Sequence, residues 1–328
     1  MQKIRIIQIG LGEIGKKIVK YISERDNIET VSAVDLAVDK VGKKLRELCR
    51  VDSDIEVVSD IEKAIKKSKP DIAVLTTFSF LEKIFPQIEL IAKYKVDIIS
   101  TCEELVFPWK TNPDLAKKID EIAKENDITI LSTGVNPGFL MDSLPIFLTS
   151  VCQNVKYIKV SRIQDAGKRR IAFQKKIGVG LTVEEFEMKK KTGEFGHVGL
   201  VESLYMIAEK IGWDMEKIED VINPVIAEDE IKDLKIKKGM VSGLEEIAKG
   251  FINGKEVITL VFKAAVGEKK PEDRIEIKGI PDITFDIPGG INGDIATCAI
   301  VVNSIKLIKN LPSGLKTMID IPLISFSK

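Results

Sequence analysis

The sequence contains a single histidine and only four cysteines, and neither residue type follows the spacing of a metal site. The cysteines lie far apart, which is typical of a reduced, cytoplasmic protein rather than a disulfide-bonded one. They are Cys49, Cys102, Cys152 and Cys298. No apolar run approaches the ~20 residues of a membrane span. A strand is predicted from Ile4 onward, so we expect no room for a signal peptide.

An excess of charge is also lacking, because 50 basic side chains balance 50 acidic ones. We therefore expect neither nucleic acid nor a membrane surface as a partner. A chain of 328 residues is long enough for one or two domains with ample cores. Its richness in Ile, Lys and Glu is typical of a heat-adapted source.

A glycine-rich turn follows the first predicted strand, residues 4–9, and opens a predicted helix. Its G-x-G-x-x-G spacing lets the turn tighten, lets the backbone approach a pyrophosphate, and lets the helix pack closely on the strand. The helix N-terminus then offers unpaired N–H groups to the phosphates. The pattern predicts dinucleotide binding. The predicted contacts are Gly10, Leu11, Gly12, Glu13, Ile14 and Gly15.

Strands alternate with helices up to about residue 132, which predicts a Rossmann-type, doubly wound parallel sheet. Helices are predicted over 40–50, 80–94 and 115–126, and strands over 29–35, 72–75, 97–100 and 128–131. Ligands of such sheets bind outside the carboxyl ends of the strands. We therefore expect further cofactor contacts at Thr76, Thr77, Thr101, Cys102 and Asn136. Cys102 has no neighbour that would activate it, and we interpret it as a packing residue. Asn136 suits a carboxamide, although an Asn-Pro turn explains it equally well.

The pattern changes near residue 150 to long strand signals, with Asn253-Gly254 predicting a hairpin. This indicates a second, α+β domain with a largely antiparallel sheet. We predict a dinucleotide-binding domain over 1–140, a substrate and dimerisation domain over 141–290, and a C-terminal helix and tail over 291–328 that return to the first domain.

Asp35 lies 20 residues beyond Gly15, at the end of the second predicted strand. There it can accept hydrogen bonds from an adenosine ribose, and its charge would repel a 2′-phosphate. We therefore expect NAD as the cofactor, with a turn-capping aspartate as the alternative. The nearby basic residues Lys43, Lys44 and Arg46 leave NADP use open.

Two adjacent acids, Glu103 and Glu104, close the fifth predicted strand, where a nicotinamide ring would lie. One of them, with a preference for Glu104, is our candidate general base. The alternative is a solvated surface pair.

Basic residues form the candidate substrate site of the second domain: Arg169, Arg170, Lys175 and Lys176. An arginine fork binds a carboxylate bidentately, although a solvated charge run is the alternative. His197, between two glycines at a predicted helix start, is either a further substrate contact or a structural residue.

Several stretches together resemble the 2,4-diaminopentanoate dehydrogenase and native amine dehydrogenase family, within the dihydrodipicolinate reductase-like superfamily. They are residues 10–15, 100–105 with 107–109, 133–139, 165–170 with 174–176, 196–203 and 293–297. The resemblance implies NAD(P)-dependent oxidative deamination of a primary amine, most simply 2,4-diaminopentanoate, within ornithine degradation. It also implies a catalytic carboxylate in the Glu103-Glu104 pair and a homodimer paired through the second-domain sheets.

Dihydrodipicolinate reductase itself would carry a His-His pair, a nearby catalytic lysine and a Ser-Gly-Thr loop, all of which are missing from the loop at 165–180. This departure argues against reduction of a dihydropyridine dicarboxylate. Two alternatives stay open from the sequence: another oxidoreductase of the superfamily, and a catalytically silent NAD-binding sensor.

Overall fold

The structure is a computed structural model that describes residues 3–192 and 195–327. Its strands are β1 (Ile4–Ile9), β2 (Ile28–Val34), β3 (Val57–Val58), β4 (Ile72–Leu75), β5 (Asp97–Ser100), β6 (Thr129–Ser132), β7 (Asn154–Asp165), β8 (Lys217–Ile226), β9 (Val241–Ile252), β10 (Lys255–Ala265), β11 (Glu272–Ile280), β12 (Ile283–Pro288) and β13 (Gly314–Lys316). Its α-helices are α1 (Glu13–Ser23), α2 (Leu45–Cys49), α3 (Ile61–Ser68), α4 (Leu81–Ala92), α5 (Pro108–Thr111), α6 (Pro113–Glu125), α7 (Ser143–Leu148), α8 (Ile171–Lys176), α9 (Val183–Lys190), α10 (Leu200–Ile211) and α11 (Gly293–Ile308).

The chain divides into two compact units. Unit 1 comprises the residues up to Phe139 together with those from Asn292 onward, and unit 2 comprises Leu140–Ile291. Because the chain leaves unit 1 and later returns to it, α11 and β13 belong to the same unit as β1.

Unit 1 is a parallel sheet with the strand order β13-β6-β5-β4-β1-β2-β3. Its central strands are buried along their whole length, as β-branched runs covered on both faces should be. Helices α4 and α6 bury apolar residues in one core, and α11 lies against α1 and buries Val301 and Ile305 in another. The predicted Rossmann-type sheet is confirmed.

Unit 2 is a six-stranded sheet in the order β12-β11-β7-β10-β9-β8. Every adjacent pair is antiparallel except β7 and β10, which run parallel, so the predicted largely antiparallel sheet is confirmed. Asn253 and Gly254 both adopt positive φ and join β9 to β10 in the predicted hairpin. Helix α10 covers one face of β9 and β10.

The sequence prediction was wrong after β2, where a helix over 40–50 was expected. Only Leu45–Cys49 is helical, because the preceding residues make turns in which Lys40 N–H donates to the Ala37 carbonyl and Gly42 has φ +84°. Strand β13 and helix α8 were not predicted, since both are too short to show a period. No helix in the described part of the chain is long and apolar enough to cross a membrane.

Candidate functional site

The turn between β1 and α1 has the geometry that its three glycines predict. Gly10 has φ +88°, and a Cβ there would lie 2.7 Å from the Thr76 carbonyl oxygen. A Cβ on Gly15 would lie 2.0 Å from the Gly10 carbonyl oxygen, so α1 can approach the turn only without a side chain. A Cβ on Gly12 would meet nothing within 4 Å. The helix N-terminus therefore faces open space at the one glycine that a pyrophosphate has to approach.

Side chains of neighbouring strands hold this turn in place. The Thr76 hydroxyl donates to the Gly10 carbonyl at 2.8 Å and accepts from Gln8 Nε2 at 3.0 Å. Gln8 Nε2 also donates to the Gly10 carbonyl. The hydroxyl of Thr77 donates to Gln87 at 2.7 Å. Both predicted threonines thus lie at the strand end as expected, with their hydroxyls bonded within unit 1.

Asp35 meets the glycine-rich turn directly. One carboxylate oxygen, Oδ2, accepts from Leu11 N–H at 2.7 Å and from Lys40 Nζ at 2.9 Å, while Oδ1 accepts from Ala37 N–H at 2.8 Å. Burial alone would raise the pKa of Asp35, but these hydrogen bonds outweigh it and hold the pKa below its ordinary value. Asp35 is therefore a fixed anion, and Lys40 is a partner that the sequence prediction missed.

The ends of β4, β5 and β6 lie side by side, as the predicted edge requires. Thr101 N–H donates to the Leu75 carbonyl, and Thr133 N–H donates to the Ser100 carbonyl. Cys102 is fully buried, its thiol donates to the Ser79 carbonyl, and burial raises its pKa well above the ordinary value. These contacts agree with a packing role for the Cys102 side chain and leave its backbone at the edge.

The loop after β6 adds polar groups to this edge. Thr133 is only 1% exposed, and its hydroxyl oxygen has no hydrogen-bond partner among the described residues. Asn136 is half-buried, and Val135 N–H donates to the Thr297 hydroxyl at the start of α11. An unsatisfied buried hydroxyl at the same edge of the sheet as the open glycine turn fits a polar ligand such as a dinucleotide.

The two candidate acids differ in their surroundings. Glu104 Oε2 accepts from Leu81 N–H at 2.6 Å, at the first residue of α4. Burial raises the pKa of Glu104, and the nearby charges of Glu82 and Glu103 raise it further. Glu103 is half-buried. Glu104 is thus anchored at a helix start, with a carboxyl that holds its proton more tightly than an ordinary glutamate.

In unit 2, a row of paired residues crosses the helix-covered face of the sheet. Glu246 of β9 pairs with Phe262 of β10, which pairs with Arg162 of β7, which pairs with Asp273 of β11. All four are at least nine-tenths buried. We call this set, together with His197, the charged face. Glu246 could have been suspected from the sequence, because it interrupts an inward apolar alternation at Leu244 and Ala248.

His197 is seated on this charged face. Its backbone N–H donates to Glu246 Oε2 at 3.0 Å, and its ring lies 4.2 Å from the Phe262 ring centroid. The preceding Gly196 has φ +108° and approaches Ile222 so closely that a Cβ would lie 2.7 Å from it. Burial raises the pKa of Glu246 to about 8, and the charge of Asp220 adds to the rise. The sheet thus fixes the position of the only histidine.

The predicted basic residues follow the C-terminal end of β7 in the chain. Arg169 donates to Gln164, and its guanidinium lies 4.2 Å from the Phe173 ring centroid. Arg170 immediately precedes α8. On α8, Lys175 is exposed and Lys176 is half-buried. The positive charge of Lys176 offsets part of the rise that burial causes in the pKa of Glu246. Lys176 and His197 therefore lie near Glu246, and Arg169 is bonded to Gln164 of β7. Lys175 faces solvent.

The buried pair of Arg162 and Asp273 forms hydrogen bonds to the backbone of Ile291, the last residue of unit 2. Their nearest charged atoms are 3.5 Å apart. Arg162 donates to the Ile291 carbonyl at 2.9 Å, and Asp273 accepts from Ile291 N–H at 2.7 Å. Burial lowers the pKa of Arg162 to about 10 and raises that of Asp273. Both charges are used to hold backbone, which gives this part of the face a structural role.

Comparison with known proteins matches both halves of the chain to family models. Residues 4–132 match the N-terminus of dihydrodipicolinate reductase, and residues 139–326 match the 2,4-diaminopentanoate dehydrogenase C-terminal domain. The 2,4-diaminopentanoate dehydrogenase of Acetoanaerobium sticklandii is 33% identical over 98% of this chain and 94% of its own. The chain belongs to the 2,4-diaminopentanoate dehydrogenase family. Its relatives are dehydrogenases, which supports NAD(P)-dependent oxidation of an amine.

Solved structures agree with this fold. An amine dehydrogenase from Mycobacterium smegmatis superposes with a TM-score of 0.88 at 21% identity, over 99% of this chain and 97% of that one. An oxidoreductase from Agrobacterium radiobacter in complex with NAD⁺, L-tartaric acid and magnesium has a TM-score of 0.60 at 11% identity, over 97% and 92%. At such identities the likeness shows the shared fold alone.

Proposed function

We propose that this member of the family oxidises 2,4-diaminopentanoate at the carbon bearing the 4-amino group, using NAD or NADP, and yields 2-amino-4-oxopentanoate and ammonia. The observation that carries the proposal is the nearly full-length similarity to the A. sticklandii enzyme. It is combined with an intact nucleotide edge, by which we mean the glycine-rich turn at residues 10–15 and the ends of β4, β5 and β6. The proposed substrate is the compound for which that relative is named. The basic residues of unit 2 suit a substrate that bears a carboxylate.

The residues of unit 1 would hold the cofactor through backbone and side chains already in place. The open turn at Gly12 would receive the pyrophosphate, and Asp35 would face the adenosine ribose. The nicotinamide carboxamide of the cofactor would face the ends of β5 and β6, at Thr101, Thr133 and Asn136. When bound, the nicotinamide supplies the hydride acceptor.

Glu104 is the proposed general base, with Glu103 as its alternative. The substrate ammonium must lose a proton before its nitrogen lone pair can form the imine as hydride leaves the carbon. Water must then attack the imine carbon and lose a proton. The C–N bond of the resulting carbinolamine breaks as ammonia leaves, which gives the ketone. A carboxylate with a raised pKa accepts such protons more readily than an ordinary one, which supports Glu104.

The proposed substrate contacts lie in unit 2. Arg169 or Arg170 would bind the substrate carboxylate, because a guanidinium fork matches its two oxygens. Lys176 and His197, both associated with Glu246, would complete the polar surroundings, and Lys175 is the weakest candidate because it is exposed.

We also propose a homodimer that pairs through the second-domain sheets. The face opposite Glu246 carries Val221, Ile247 and Val261 on adjacent strands, and all three are at least partly exposed in the single chain. Light scattering of the purified chain tests this, with Val261→Arg expected to give monomers. A cytoplasmic location is supported by the four cysteines, which are all free thiols.

The deciding experiment mixes the purified protein with 2,4-diaminopentanoate and NAD or NADP and follows reduced-cofactor absorbance together with ammonia. Sustained growth of both supports the proposal. Cofactor binding without turnover would instead indicate a silent sensor. Reductive activity that needs no ammonia would indicate another reductase of the superfamily.

A further inference from the structure

The loop after β2 carries a lysine that is bound to the ribose-facing acid. Lys40 Nζ lies 2.9 Å from Asp35 Oδ2, and their side chains are only 22% and 11% exposed. A lysine and an aspartate this sheltered are less weakened by salt than a surface pair. The two charges therefore largely cancel at the position where a ribose 2′ substituent would lie in the proposed function.

Asp35 has little capacity left for hydrogen bonding. A carboxylate offers about four lone-pair sites, and Oδ2 already uses two of its own for Leu11 and Lys40. Oδ1 uses one for Ala37. One site on Oδ1 remains for a ribose hydroxyl. The Lys40 ammonium, by contrast, carries three donors, of which the Asp35 bond occupies one.

Two of the three other basic residues near this loop are engaged elsewhere. Lys44 lies 2.9 Å from Asp54, and Arg46 donates to Asp54 at 2.6 Å. Of the cations that the sequence offered for a 2′-phosphate, these two are thus paired with a different acid. Two large apolar side chains beside Asp35, Leu36 and Val38, are 75% and 94% exposed, as expected where an adenosine would lie.

We infer that Lys40 determines cofactor choice: it cancels the repulsion that Asp35 alone would exert and donates to the 2′-phosphate, so that the protein binds NADP(H) about as well as NAD(H). This inference rests on the proposed function, since it concerns the same nucleotide site. It replaces the expectation, based on Asp35 alone, of a preference for NAD.

The test measures NADH and NADPH dissociation constants by nicotinamide fluorescence at one fixed ionic strength. The wild-type constants should agree within about tenfold. Lys40→Ala should weaken NADPH by about 10- to 100-fold, the loss of one charge-assisted contact, and change NADH by less than about threefold. Lys40→Arg, which keeps the charge, should retain NADPH binding.

Two further variants complete the experiment. Asp35→Ala should weaken NADH and tighten NADPH, and adding Lys40→Ala should remove that gain. Lys44→Ala, which breaks a Lys–Asp pair of the same length in the same region, should leave both constants unchanged.

Equal weakening of both nucleotides by Lys40→Ala, or no change in either, overturns the inference. NADPH binding by wild type that is more than about 100-fold weaker than NADH binding overturns it too. A wild-type protein that binds neither nucleotide overturns the proposed function and the inference together, whereas normal NADH binding with an unresponsive Lys40→Ala variant overturns the inference alone.

Discussion

The nucleotide edge of unit 1 and the charged face of unit 2 are built in opposite ways. The edge is made largely of backbone groups in turns at strand ends, and hydrogen bonds with Gln8, Thr76 and Asp35 hold the glycine-rich turn. The charged face is made of side chains from strands distant in the chain, with buried ionisable groups at Glu246, Arg162 and Asp273. A site built from backbone leaves a glycine motif in the sequence, whereas one built from side chains becomes visible only through strand register.

The largest expected effect separates the proposed general base, Glu104, from its neighbour Glu103. Glu104→Gln should lower kcat by about 10²- to 10⁴-fold, the usual contribution of a general base, while NADH binding persists. Because burial raises the pKa of Glu104, the acid limb of the wild-type pH–rate profile should lie above the range of an ordinary glutamate.

Glu103→Gln is the matched control and should cost far less. Thermal melting of both variants measures any stability that is lost with the hydrogen bond between Glu104 and the start of α4. Near-normal kcat in both variants from pH 7 to 10 would refute the carboxylate mechanism and direct attention to His197, Lys175 and Lys176.

The second prediction concerns the charged face and pH. The folded-state pKa of Glu246 is about 8, above the unfolded value, so between about pH 4.5 and 8 the folded protein keeps a proton that the unfolded chain has lost. Stability should therefore fall as pH rises through this window, by roughly a few kcal/mol from Glu246. Glu246→Gln should flatten the slope in urea denaturation followed by circular dichroism.

Asp220, whose pKa is also raised by desolvation although the residue is partly open to solvent, should leave only a small residual slope in that variant. Glu245→Gln changes the next residue along β9, on the opposite face of the sheet, and should keep the wild-type slope. An unaltered slope in Glu246→Gln would show that the carboxyl is not buried as described.

The third prediction tests the proposed carboxylate contact. Arg169→Ala should raise KM for 2,4-diaminopentanoate by about 10- to 100-fold, because it removes a charge-assisted bond. Butane-1,3-diamine, which lacks the carboxylate, should be affected much less. Steady-state kinetics on both substrates decides, and equal losses would indicate loop damage. A loss seen with Arg170→Ala instead would move the contact by one residue.

The smallest effect compares two glycines of the edge. Gly15→Ala should destabilise the fold by about 1–3 kcal/mol, because its Cβ would lie 2.0 Å from the Gly10 carbonyl oxygen. Gly12→Ala meets no atom within 4 Å and should melt like wild type, yet bind NADH more weakly because its methyl enters the space of the pyrophosphate. Equal melting temperatures for the two variants would contradict the packing of α1 on the turn.

The sequence by itself determined the alternation of strands and helices, the glycine-rich turn and the hairpin at Asn253-Gly254. Each depends on neighbours in the chain: a β-branched run, a positive φ, or an apolar face at helical spacing. The Rossmann-type sheet, the largely antiparallel second sheet and the family were all accessible from these patterns and from the motifs.

Only the tertiary structure decided which charges meet. A helix was expected to begin at Lys40, but residues 40–42 form turns instead, and in this conformation the Lys40 ammonium reaches Asp35. Glu246 and His197 are 49 residues apart in sequence and meet because β9 lies under the Gly196 turn. Pairing between distant side chains depends on strand register and loop path, for which local periodicity carries no information.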